Sequence, residues 1–138
     1  MNHAGIAGSV LLVLCGTFGC SSSRTQAQAR EFTDGYYALL QADRVDDALE
    51  LCEPGFFKRT PRENWITARQ LVDDRLGAIE SFAMAKWTME LLPNGTFVTF
   101  EYDVVYQHGT SRDTITVVDP IKNPGFKVYG HHVHSDQL

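Results

Sequence analysis

Cysteine is scarce in this chain, and positive charge is outnumbered. Three cysteines occur in 138 residues: Cys15, Cys20 and Cys52. The first two lie in or beside an apolar N-terminal stretch, so the body of the chain keeps Cys52 alone and can form no internal disulfide. Lys and Arg number 12 against 17 Asp and Glu, giving a net charge of −5. An acidic domain repels phosphate backbones, which argues against a nucleic-acid partner. No basic patch points to anionic lipid head groups either. A phosphate-cradling Gly loop, a calcium loop and a nucleophile elbow are all missing. Repeats and low-complexity blocks are absent too. No apolar run reaches the roughly twenty residues that cross a bilayer.

What is present begins with Ala4 to Phe18, an uncharged apolar run, followed by Gly19, Cys20 and Ser21 to Ser23. The run is about fifteen residues, the length of a secretory h-region rather than of a permanent span. Gly19 supplies the small residue that cleavage needs, whereas Leu14 makes Cys15 a poor cleavage partner. The stretch Thr17-Phe18-Gly19-Cys20 resembles the lipobox of bacterial lipoproteins, in which the cysteine becomes the first residue and carries acyl chains. Thr17 stands where Leu is usual, and Met1-Asn2-His3 holds no Lys or Arg. The resemblance implies a signal peptide over 1–19, a lipidated Cys20 with a polar tether over 20–28, and one domain over 29–138. It also implies anchoring in the cell envelope. Ser21 after the cysteine suggests the outer membrane, facing the periplasm, in a cell with two membranes. Ordinary cleavage after Ala29, with Ala27-Gln28-Ala29 as the site, is the alternative and would give a soluble secreted or periplasmic protein.

Removing the first nineteen of 138 residues leaves 119, enough for one domain with its own core. A helix is predicted over about Ala27–Ala42, with Ala29, Phe32, Tyr36, Leu39 and Leu40 on one stripe. A second, over about Arg44–Cys52, has Asp43 as its expected cap. In Thr60-Pro61-Arg62-Glu63, Thr60 reads as a capping residue, with Pro61 in the first turn and Glu63 three residues after the cap. Trp65, Arg69, Val72 and Leu76 then recur at helical steps, and Gly77 ends the helix. Cys52 reads as a small buried apolar residue near a helix end.

After Gly77 the period changes to two. Ala83, Ala85, Trp87 and Met89 alternate with Phe82, Met84, Lys86 and Thr88. Pro93-Asn94-Gly95 is a hairpin turn. Val98, Phe100, Tyr102, Val104 and Tyr106 then face one way, with Phe97, Thr99, Glu101 and Asp103 on the other side. Further strands are predicted over Asp113–Asp119 and Phe126–His134. Helices first and a meander second give an α+β domain, with N-terminal helices packed on a curved antiparallel sheet of four or more strands, cone-shaped.

The order and spacing of these segments resemble the nuclear-transport-factor-2-like (cystatin-like α+β) superfamily, and within it small bacterial lipoproteins. The carrying residues are Phe32 to Asp43, Val45 to Leu49, Trp65, Leu76 to Ile79, Phe100 to Tyr106, Thr114 to Val118 and Phe126 to Gly130. That fold hosts isomerases, dehydratases, transport factors and interaction modules, so it implies little about function. Its members bind ligands in the cone between helices and sheet. Tyr36, Trp65, Tyr102 and Tyr106 are the candidate pocket residues here, or core residues with polar tips.

Acid–base chemistry would need a carboxylate or His beside those tyrosines, yet Glu101 and Asp103 are out of phase with Tyr102. His131-His132-Val133-His134 places His132 and His134 on one strand face, with His108 and Asp136 as further donors. Zinc asks for three or four ligands with support, and the segment reads instead as a solvated strand end. The expectation is therefore a membrane-anchored binding domain, with no catalytic residues, metal or cofactor, that takes a small apolar ligand or an envelope protein. A homodimer through the exposed sheet face, covering Phe97, Thr99 and Val105, is one such partner. The alternatives are an isomerase- or dehydratase-type enzyme and an envelope-assembly subunit.

Overall fold

The structure, a computed structural model, describes the backbone of residues 18–138 and the side chains from Ser21 onward. The expected leader, its cleavage point and the Cys20 side chain lie outside the described residues.

Helix α1 (Phe18–Gln41) begins nine residues before the sequence suggests. Ser21 to Gln28, expected as an unstructured tether, forms its first turns. No Gly or Pro interrupts the chain from Ser21 to Asp34, and the Thr25 hydroxyl bonds back to the Ser21 carbonyl at 3.0 Å. Farther along, Ala29, Thr33, Tyr36, Tyr37 and Leu40 make up the buried stripe.

Asp43 follows with φ +56, a left-handed conformation that a short polar side chain tolerates. It is therefore part of the turn and does not cap the next helix. Arg44 is the N-cap of α2 (Val45–Glu50), without a side-chain cap bond. A four-residue helix, α3 (Phe56–Arg59), was not legible in the sequence; it buries Phe56.

Helix α4 (Arg62–Leu76) buries Trp65, Arg69, Val72 and Leu76, the stripe read from the sequence. Its N-cap is Pro61, not Thr60, because Thr60 already ends α3 with its N–H on the Phe56 carbonyl. Gly77 ends α4 at φ +80. A Cβ there would sit 2.9 Å from Gln107 Oε1, the atom that accepts from the Ala78 N–H.

Four antiparallel strands follow in the order β1 (Ile79–Leu92), β2 (Gly95–Tyr106), β3 (Gly109–Pro120), β4 (Lys127–His134). The hairpin at Pro93-Asn94 joins Leu92 to Gly95. On β2 the expected five residues, Val98 to Tyr106 in alternation, are buried. On β1 the expected alternation breaks. A register shift between Met84 and Lys86 puts Phe82 and Met84 opposite Val104 and Tyr102, but Trp87 and Met89 opposite Phe100 and Val98. Ala85 is the extra residue of a bulge, so Phe82, Met84, Trp87 and Met89 share one face.

Helices pack on the inner face of this curved sheet. The core joins Tyr36, Tyr37 and Leu40 of α1 to Val98, Phe100, Tyr102, Ile115, Val117 and Val128. The chain after α2 runs along the open edge of β4, where Cys52 bridges Val128 in parallel. Burial pushes the Cys52 thiol up to about 12, so it behaves as a buried apolar group.

Candidate functional site

Ser111, Asp113, Ile115 and Val117 alternate on the inner face of β3. Cross-strand pairing sets Asp113 opposite Tyr102 on one side and Val133 on the other, and Ile115 opposite His131. A carboxylate and an imidazole thus reach the interior from neighbouring strands, under the paired tyrosines of α1.

Asp113 is fully buried, and the His131 side chain is 3% exposed. His131 Nε2 donates to Asp113 Oδ2 at 2.9 Å. Tyr37 donates to the same oxygen at 2.9 Å, and Ser111 donates to Oδ1 at 2.7 Å. The Tyr106 hydroxyl lies 3.5 Å from Ser111 Oγ. Burial pushes the Asp113 carboxyl up. The hydrogen bond and attraction of His131, with the bonds from Ser111 and Tyr37, outweigh that and hold it below the ordinary 3.8.

An ionised Asp113 fixes the proton of His131 on Nε2. Nδ1 on the other side of the ring is hydrogen-bonded to the Tyr36 hydroxyl, 3.0 Å away. Burial above all raises the pKa of Tyr36 and Tyr37 well above 10, so both remain donors. Both ring nitrogens of His131 are engaged, and no buried side-chain nitrogen or oxygen among the described residues lacks a partner.

The polar set continues along α4. Arg69, itself buried, donates to Asp73 Oδ1 at 2.8 Å, and its guanidinium lies 5.8 Å from the Tyr106 ring centre. Tyr102 donates to Asp34 at 2.6 Å and stacks on Tyr37 with ring centres 4.7 Å apart.

Two clefts open between the helices and β4. One of about 350 Å³ is lined mainly by Trp65, Ala68, Leu71, Val72, Val133 and Leu138. The other, about 450 Å³, includes Phe56, Arg59, Thr116 and Tyr129. Thr60, Trp65, His131 and His132 belong to both, so Trp65 is a shared wall. A wider concavity of about 950 Å³ lies at the end of the sheet around Arg112, His134 and Leu138.

Of the four pocket residues expected from the sequence, Trp65 lines clefts. Tyr36, Tyr102 and Tyr106 are buried in the core and line none of these concavities. Glu101 and Asp103 lie on the outer face, as their phase indicates, paired with Lys86 and Arg112 at 3.0 and 2.9 Å. The same face carries Thr99 bonded to Thr116 and Phe97 packed edge-on against Tyr129, with Val105 exposed.

His131 corrects one expectation. It belongs not to a solvated strand end but to the interior, whereas His132 and His134 are exposed. No group of three His, Cys, Asp or Glu side chains gathers for a metal ion among the described residues. Asp113 was expected only as the start of a strand and His131 only as part of a solvated cluster with His132 and His134, not as a buried pair. The signal for Asp113 was its step of two with Ile115 and Val117.

No helix among the described residues is long and apolar enough to cross a membrane. Comparison of the chain with family models, with curated proteins and with solved structures finds no match.

Proposed function

We propose that the chain is an exported, lipid-anchored protein of the nuclear-transport-factor-2-like kind, held by Cys20, whose domain binds a small apolar ligand without transforming it. The observation that carries the binding part is the state of His131 and Asp113. A general base must present a free atom to its substrate. Here Nε2 meets Asp113, Nδ1 meets Tyr36, and the carboxylate accepts three donors. The network therefore supports the walls of the clefts and leaves the binding to Trp65, Leu71, Val72 and Val133. The smaller cleft, at about 350 Å³, falls within the range of small-molecule sites, roughly 300–1,000 Å³.

The enzyme reading has one observation in its favour: a His–Asp pair beside tyrosines behind the clefts. It would require Tyr36 to leave Nδ1 and a substrate to replace it.

Native mass spectrometry of the full chain, expressed in a bacterium and released in mild detergent, tests the binding reading. The expected result is added mass of a small molecule, lost in Ala68→Trp, which fills the cleft from an exposed position. An apo mass for the wild type, or added mass that survives Ala68→Trp, would defeat it.

A further inference from the structure

Exposed large apolar side chains gather at one end of the molecule. Leu91 is 78% exposed, Ile121 67%, Leu92 45% and Trp87 40%. Trp87 and Leu91, with the half-buried Met89 between them, share the inner face of edge strand β1. Leu92 ends that strand, and Ile121 is tied to the same tip by its N–H on the Asn94 carbonyl. Scattered apolar residues on a surface need no explanation, but a contiguous group does.

Helix α1 starts at this same end. Its last residue, Gln41, bonds the Glu80 carbonyl at the start of β1. Tyr37 stacks on Phe82. Phe32 then packs on Phe126, just before β4 and across from the Gly95–Pro120 pair that closes the sheet. Toward its N-terminus the helix thus advances from the start of β1 to the end of the sheet that holds the hairpin, which it reaches at the β4 edge. Fourteen residues of α1 precede Phe32, about 20 Å at 1.5 Å per residue. They carry Cys20 onward past Phe32, away from the start of β1, and the apolar Ala4–Phe18 run precedes them in sequence.

We propose that this tip is a membrane-seating surface. Trp87, Leu91, Leu92 and Ile121 enter the interfacial layer of the bilayer to which the N-terminus leads, so that the domain lies against the membrane rather than hanging free. The proposal rests on the export and anchoring reading. A Trp with aliphatic neighbours is the composition that interfacial layers take. Charges near the tip balance, Lys122 and Lys127 against Glu90 and Asp119, so the seating is apolar and insensitive to salt.

The test uses the full chain with an excess of phosphatidylcholine vesicles whose acyl chains are brominated. The expected result is quenching and a blue shift of tryptophan emission. The quenched component disappears in Trp87→Phe, which leaves only the buried Trp65, and in the double variant Leu91→Asp, Ile121→Asp with unchanged circular dichroism. Unquenched emission in the wild type overturns the seating, whether the protein floats on its anchor or a second copy covers the tip. In the latter case native mass spectrometry shows a dimer that Leu91→Asp splits. Anchoring is read separately, by whether Cys20→Ser moves the protein from the vesicle pellet to the supernatant, so the two ideas fail independently.

Discussion

Beneath α1 and at the hairpin tip, this small domain places polarity in opposite ways. Beneath α1, Asp113, His131, Ser111, Tyr36 and Tyr37 are polar, buried and saturated with hydrogen bonds. At the tip, Leu91, Leu92, Ile121 and Trp87 are apolar and exposed. The first region ties three elements together through directional bonds, since α1 supplies the tyrosines, β3 the carboxylate and β4 the imidazole. The second leaves much of its apolar surface open to solvent. The difference separates two demands on one sequence. Changes to the buried network should alter whether the domain folds, and changes to the tip should alter only where the folded domain goes.

The largest effect should come from Asp113→Ala. It leaves the Nε2–H of His131 and the buried hydroxyls of Tyr37 and Ser111 without their acceptor. Breaking a buried pair in this way costs about 3–5 kcal/mol. Denaturant unfolding of the variant beside the wild type measures it. A loss under about 1 kcal/mol would mean the three donors find other partners, as relaxed surface groups do.

A smaller effect should appear in acid. The folded Asp113 carboxyl is held below 3.8, so in that range the unfolded chain binds more protons than the folded one. The contribution of Asp113 is complete above about pH 4 and is lost as pH falls through its lower folded value. Asp113→Asn has no proton to gain. As pH falls below about 4, the wild type should lose stability more steeply than this variant, as followed by thermal melts. Parallel curves would show that Asp113 is not the group whose protonation matters there.

How much of this was legible depends on how each residue advertises its surroundings. The inner face of β2 was open to reading because Val98 to Tyr106 alternate strictly with polar neighbours. β1 was not, because Phe82, Met84, Trp87 and Met89 sit among alanines on both phases, and hydropathy does not mark the bulge at Ala85. The early start of α1 was hidden because Ser21 to Gln28 is small and polar all round, and a solvated helix and a tether share that composition. Thr60 looked like a cap until α3, four residues long, claimed it.

The candidate site itself was half visible. Trp65 could be placed from its helical step, and Asp113 carried a phase signal. His131 was masked by its own neighbours, since one buried His in a run of three exposed-looking ones has no local signature. Its burial follows from cross-strand pairing with Ile115, which is a long-range fact.

The smallest effect sharpens the contrast most. Leu91→Asp puts a charge on a side chain that is 78% exposed, at a site with no buried partner to lose. Such surface changes stay within about 0.5 kcal/mol. Its unfolding midpoint in solution should therefore match the wild type, even though the residue is apolar and its replacement is not. Equal stability would mark Leu91 as retained for something outside the fold. A loss of about 2 kcal/mol or more, the scale of a buried leucine, would mean the tip is covered within the protein, by its own N-terminal segment or by another copy, and the two regions would then differ in chemistry but not in purpose.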